Sequence, residues 1–165
     1  MALNYGTSTA LASTSFSSLA SKNTTATAAA SSAAATTSTT ANVTDAMARV
    51  QVVTPAFTPT ASTTVDVYVY GSEDGTQWPG AAATSEVLAG TDAAVSLSSL
   101  SNNLRFLGTI QCHTSGGTFT TEPMSIAAAF GGFLPRKWAI LIQNNLPAGV
   151  SLTSGSVKYS EIYYN

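Results

Sequence analysis

The sequence predicts an all-β chain, an antiparallel sandwich or barrel with an extended N-terminal arm. Three observations point there. Several segments alternate apolar and polar residues with a period of two, the pattern of a half-buried strand. Turn signals separate them at short intervals, so that about seven to nine short strands fit the chain. No segment past residue 45 carries a helical stripe. A length of 165 residues suits one domain large enough to bury a core. We divide it into an arm over residues 1–13 and one β domain over residues 14–165.

Residues 1–44 form a block of their own. Ser and Thr fill 20 of these positions, half of the rest is Ala, and Lys22 is the single charged side chain. Such a composition suits a linker or an arm. Thr and Ser also tolerate strands, and no Pro or Gly interrupts Thr24 to Ala35. Residues 1 to about 12 therefore read as extended arm, with weak strands at Ser15–Ser21 and Thr25–Ala34. From residue 45 the pattern sharpens. Ala48, Val50 and Val52 share one face of a strand, while Met47, Arg49 and Gln51 share the other. Pro55 and Pro59 bracket a loop. In Val65-Asp66-Val67-Tyr68-Val69-Tyr70 the valines point one way and the acid and tyrosines the other. An Asp74-Gly75 turn follows.

Thr76 to Asn103 reads as a long excursion between strands, the kind of loop that often carries function. Leu104 to Cys112 is another strand, with Leu104, Phe106, Ile110 and Cys112 expected on one face. Ser115 to Thr118 makes a turn. Phe119 to Phe130 holds at least one strand, broken by Pro123 and closed by Gly131-Gly132. Trp138 to Asn144 is apolar on both faces and reads as a buried strand. Asn144 to Gly149 turns the chain, and alternating strands over Val150–Leu152 and Ser156–Tyr164 end it.

The charge content excludes several functions. Charged residues make up 8% of the chain, against roughly 25% in an ordinary soluble domain. Either hydroxyls and amides solvate the surface, or partners cover much of it. The only adjacent cations are Arg136-Lys137, too few for direct nucleic-acid binding. The longest near-apolar run, Ile126 to Leu134, is far short of the roughly 20 residues of a membrane helix, so no membrane role is expected. The N-terminus has neither the basic nor the apolar region of a signal peptide.

Catalytic and metal-binding constellations are sparse. His113 is the only histidine and no Gly-x-Ser-x-Gly elbow holds a serine. The eight acids are dispersed, which argues against a paired-carboxylate glycosidase. One Cys and one His exclude a four-ligand zinc site, and there is no phosphate loop or dinucleotide motif. Glu73-Asp74 reads as a solvated turn, with weak Ca²⁺ binding the competing reading. Cys112 reads as a small buried apolar side chain, with His113 on the opposite strand face. No enzyme, metal or cofactor is expected. Trp78 is either a loop anchor or an interface contact, and the candidate interface residues are Leu3, Tyr5, Phe16, Leu19 and Trp78.

The succession of segments resembles a group of tailed-bacteriophage virion structural proteins. It is carried by Ser18 to Ser21, the Ala/Thr/Ser-rich strand, Val65 to Tyr70 with its Asp-Gly turn, Asn103 to Thr109, Leu134 to Asn144 and the final Lys158-Tyr159 strand. It spans residues 14 to 164 and rests on packing patterns. The resemblance implies an antiparallel β-sandwich of jelly-roll type, a capsid cement or decoration protein located on the virion, assembling as a trimer with copies of itself and with the major capsid protein or other virion proteins. The competing roles are a neck or tail component and a carbohydrate- or receptor-binding module. An uncharged arm suits burial against a neighbour, since little desolvation opposes it.

Overall fold

The computed structural model describes residues 3–7, 9–10, 28–38, 42–78, 90, 93–96, 104–113 and 115–164. Among them the chain is nearly all β. Its strands are β1 (Leu3–Tyr5), β2 (Thr9–Ala10), β3 (Ala28–Ser31), β4 (Ala35–Thr36), β5 (Asn42–Thr54) and β6 (Thr64–Ser72). They continue with β7 (Ala93–Ser96), β8 (Arg105–Gln111), β9 (Gly117–Thr120), β10 (Met124–Ser125), β11 (Lys137–Asn144) and β12 (Ser154–Tyr164). One helical turn, α1 (Ile126–Ala129), precedes β11.

The strands form two antiparallel sheets. In the first, β12 pairs along β5, β1 and β2 add to the free edge of β12, and β9 and β10 add to the free edge of β5. The second has the order β7-β3-β11-β6-β8, with β4 also pairing β11. Both sheets contribute to one core. Ala46, Ala48, Val50 and Val52 of β5 and Val157 of β12 are fully buried with Val65, Val67 and Val69 of β6 and Trp138 and Ile140 of β11. The alternation read at β5 and β6 is thus the core face of each strand.

The second sheet buries side chains on its other face too. Tyr70, Ala139 and Leu141 form a separate cluster there, against which Ala34, Tyr68, Trp78 and Leu104 pack. A strand covered on both sides has no polar face, which is why Trp138 to Ile142 reads as an unbroken apolar run.

Between β3 and β4 the ladder on β11 is completed by Ser32, a fully buried residue. Its N–H donates to the Ile140 carbonyl at 2.8 Å, and its Oγ accepts the Ile140 N–H at 3.0 Å. A hydroxyl stands where a strand would present a carbonyl.

Four expectations need correction or completion. First, Leu104, Phe106, Ile110 and Cys112 do not share a face. The register steps from Val67↔Gly108 to Tyr68↔Phe106, so Leu107 is an extra residue, a bulge that shifts the phase of the alternation. Ile110 and Cys112 enter the main core, Leu104 joins the outer cluster, and Phe106 is 57% exposed. Second, the 119–130 region contains the helical turn α1. The Asp45 carboxylate caps it, accepting the Ala127 N–H at 2.8 Å and the Ser125 hydroxyl at 2.6 Å, while Ser125 Oγ accepts the Ala128 N–H. One turn is too short to show a stripe. Third, the 76–103 excursion contains β7, which pairs β3. Fourth, the weak strand read at Thr25–Ala34 is β3 over Ala28–Ser31, whereas the one read at Ser15–Ser21 lies outside the described residues.

The Asp74-Gly75 turn forms as read, with Gly75 at φ +78°. Asp74 Oδ1 accepts N–H bonds from Gln77 (2.7 Å) and Thr76 (2.8 Å) and a hydroxyl bond from Ser72 (3.0 Å). These donors, the Gln77 and Thr76 amides above all, hold its carboxyl well below the usual carboxylate range. The folded pKa is depressed, so the turn's stabilisation is complete above the ordinary Asp pKa of about 3.9 and fades as pH falls toward the depressed value. Hydrogen exchange at the Thr76 and Gln77 amides should therefore stay slow through pH 4 and accelerate only in stronger acid. Opening of this turn already at pH 4 would contradict the assignment.

Candidate docking surface

The outward face of the first sheet gathers the side chains best placed to meet a partner. Its composition follows from register. Ala48, Val50 and Val157 point inward, so Met47, Arg49 and Gln51 on β5 point outward, as do their directly opposed residues Ser160, Lys158 and Ser156 on β12. Arg49 and Lys158 thus face each other across two central strands. Like charges in direct cross-strand opposition are unfavourable, and neither cation forms an ion pair among the described residues. Two shallow grooves meet at this pair. One, of about 460 Å³, is lined by Tyr5, Met47, Arg49, Pro123, Lys158 and Ser160 among others. The second, of about 350 Å³, is lined by Arg49, Gln51, Thr120, Ser156 and Lys158. Among the described residues, neither lining contains an acid. Asp45, two residues before Met47 on the same strand, has its carboxylate engaged at α1.

The N-terminal strand extends this face with apolar surface. Leu3 lies opposite Tyr164 and Tyr5 opposite Ile162. Leu3 is 50% exposed, Tyr5 69% and Tyr164 39%. The arm is pinned by the Gly6 N–H donating to the Glu161 carbonyl at 2.8 Å. Over Leu3–Tyr5 and Thr9–Ala10, then, the residues read as an extended arm form edge strands of the chain's own sheet.

Of the candidate interface residues, the structure brings Leu3 and Tyr5 together on this face. Phe16 and Leu19 lie outside the described residues. Trp78 stands on the other sheet, edge-on to Tyr70 with ring centroids 5.4 Å apart. It is partly buried and closely backed by Gly90, where an added Cβ would collide with the indole. Its contacts are those of a loop anchor. Arg49, Lys158 and Tyr164 were not singled out from sequence. The cations look unremarkable 109 positions apart, and only strand register makes them opposed.

The remaining chemistry-bearing residues are dispersed. Cys112 is buried, and burial pushes its thiol up to about 11. His113 is exposed, with Nδ1 3.2 Å from the Gln111 carbonyl and its ring edge-on to Phe119. No group of three or more His, Cys, Asp or Glu gathers as a metal site among the described residues. No described helix is long and apolar enough to cross a membrane. No protein-family model matches the chain, and none of the curated proteins searched matches it.

Proposed function

We propose that the chain is a non-enzymatic virion structural protein of the tailed-bacteriophage kind, a cement or decoration subunit that stabilises a capsid. In this reading the two sheets close as a β-sandwich of jelly-roll type. Six connections passing between the sheets, β2–β3, β4–β5, β5–β6, β8–β9, β10–β11 and β11–β12, support that arrangement. The subunit sits on the major capsid protein and on copies of itself, as a trimer, without touching nucleic acid or membrane.

The observation that carries the reading is the face built on β1, β12 and β5. In a chain with 8% charged residues, two cations stand opposed with no acid lining their grooves among the described residues, beside exposed Leu3, Tyr5 and Tyr164. Such a face suits an acidic, partly apolar partner surface. Charge complementarity would fix register there, and apolar burial would supply affinity.

The test is incorporation into particles. Purified virions should carry the protein at a copy number comparable to that of the capsid subunit, and particles lacking it should rupture at lower temperature. The double substitution Arg49→Glu, Lys158→Glu changes only outward strand positions. It should fold normally yet be depleted from particles at least about tenfold, equivalent to roughly 1.4 kcal/mol of binding. A handful of copies per particle would place it at the neck or tail instead. Absence from virions would overturn the reading.

A further inference from the structure

The outer face of the second sheet is divided in two. One half is covered by Trp78, Leu104 and Ala34, packed on Tyr70, Ala139 and Leu141. The adjoining half carries a polar row. Gln143, Asp66 and Thr109 stand side by side on β11, β6 and β8, and Asn145 lies just beyond β11. Their side chains hold one another. Thr109 Oγ1 donates to Asp66 Oδ1 and Asn145 Nδ2 to Asp66 Oδ2, both at 2.8 Å. Gln143 Nε2 donates to Asn145 Oδ1 at 3.1 Å, and the Tyr68 hydroxyl donates to Gln143 Oε1 at 3.3 Å. On the border between the halves, Tyr68 and Phe106 meet edge to face with centroids 5.6 Å apart. Phe106 is 57% exposed, placed there by the bulge at Leu107.

We propose that this open half binds neutral hexopyranose sugars. A pyranose ring has an apolar C–H face that packs on an aromatic side chain and a rim of hydroxyls that both donate and accept. Phe106, steadied by Tyr68, offers the platform. The polar row offers the rim its partners. A carboxylate accepts at about four lone-pair sites and an amide nitrogen has two hydrogens. Asp66 uses two of its sites on Thr109 and Asn145, which leaves acceptors for sugar hydroxyls. Gln143 Nε2 keeps a second N–H to donate. The internal bonds fix these groups in place, so little side-chain entropy is lost on binding. The one formal charge in the row is negative, which disfavours acidic sugars. Cross-strand polar pairing would explain the row alone, but not an exposed phenyl ring held against it.

The inference does not depend on the virion reading, and either can fail without the other. Its test is titration of the full chain with cellotriose, maltotriose and chitotriose, followed by amide chemical shifts and calorimetry. At least one sugar should bind, with shifts concentrated at residues 66, 68, 106, 109 and 143. Phe106→Ala, at a solvent-exposed ring, should weaken binding by about tenfold or more with the melting temperature nearly unchanged. Thr109→Ala checks the polar row by a second route and should weaken binding as well. Absence of binding by all three sugars, binding unmoved by both substitutions, or shifts located elsewhere would overturn the proposal.

Discussion

Trp138→Ala should destabilise the chain by about 3–5 kcal/mol, the range for emptying a large aromatic site in a core. Trp138 is fully buried within the core shared by the two sheets. Its ring stands edge-on to Tyr159 of the first sheet at 5.1 Å, so it bridges the two. Its backbone is paired on both sides, to Ala35 and Gly71, which limits how far the strand can move to fill the space. A loss of this size is a large part of a typical total stability of about 5–15 kcal/mol. Trp138→Phe gives a sharper comparison. The indole Nε1–H is buried and meets no acceptor among the described residues. Phenylalanine keeps a ring and removes that unpaired donor, whose burial alone costs about 1–3 kcal/mol. It should therefore cost far less than alanine, within about 1.5 kcal/mol of the parent. Urea unfolding of the three proteins measures both differences. An alanine variant as stable as the parent would show that this residue does not hold the sheets together.

Ser32→Ala is the second large effect, expected at about 1–3 kcal/mol although only one oxygen is lost. The Ile140 N–H on the central strand β11 donates to that oxygen, and no backbone carbonyl takes its place between β3 and β4. With alanine the N–H stays buried and unpaired, the costly side of the hydrogen-bond balance. Ser32 Oγ also donates to the Ala33 carbonyl at 2.9 Å, so the short link into β4 loosens too. The denaturation midpoint should fall with little change in the slope against denaturant. Hydrogen exchange at Ile140 should rise more than at Ile142, whose partner on β3 is backbone. Equal protection at both positions would count against the assignment.

Much of the candidate docking surface was within reach of the sequence as residue types and not as a surface. Leu3 and Tyr5 stand out in a block of small side chains. That they lie beside Tyr164, Arg49 and Lys158 depends on the first and last strands being neighbours, which no local pattern encodes. The proposed sugar site is further removed. It needs Phe106 to face outward, and a strict period of two puts Phe106 inward with Ile110.

The β class, the inward valines of β5 and β6, the two-sided burial of β11, the Asp74-Gly75 turn and the burial of Cys112 are all legible from the residues alone. Each follows from alternation, composition or turn chemistry acting over a few residues. The phase of β8 after Leu107, the anchoring of Trp78 on Tyr70, the capping of α1 by Asp45, the use of Ser32 as a substitute for a strand carbonyl, and the meeting of Arg49 with Lys158 emerge only in the folded chain. All of these depend on strand register and on partners distant in sequence. Register is settled by burial across the whole sheet, because a slip of one residue exchanges every inward side chain for an outward one.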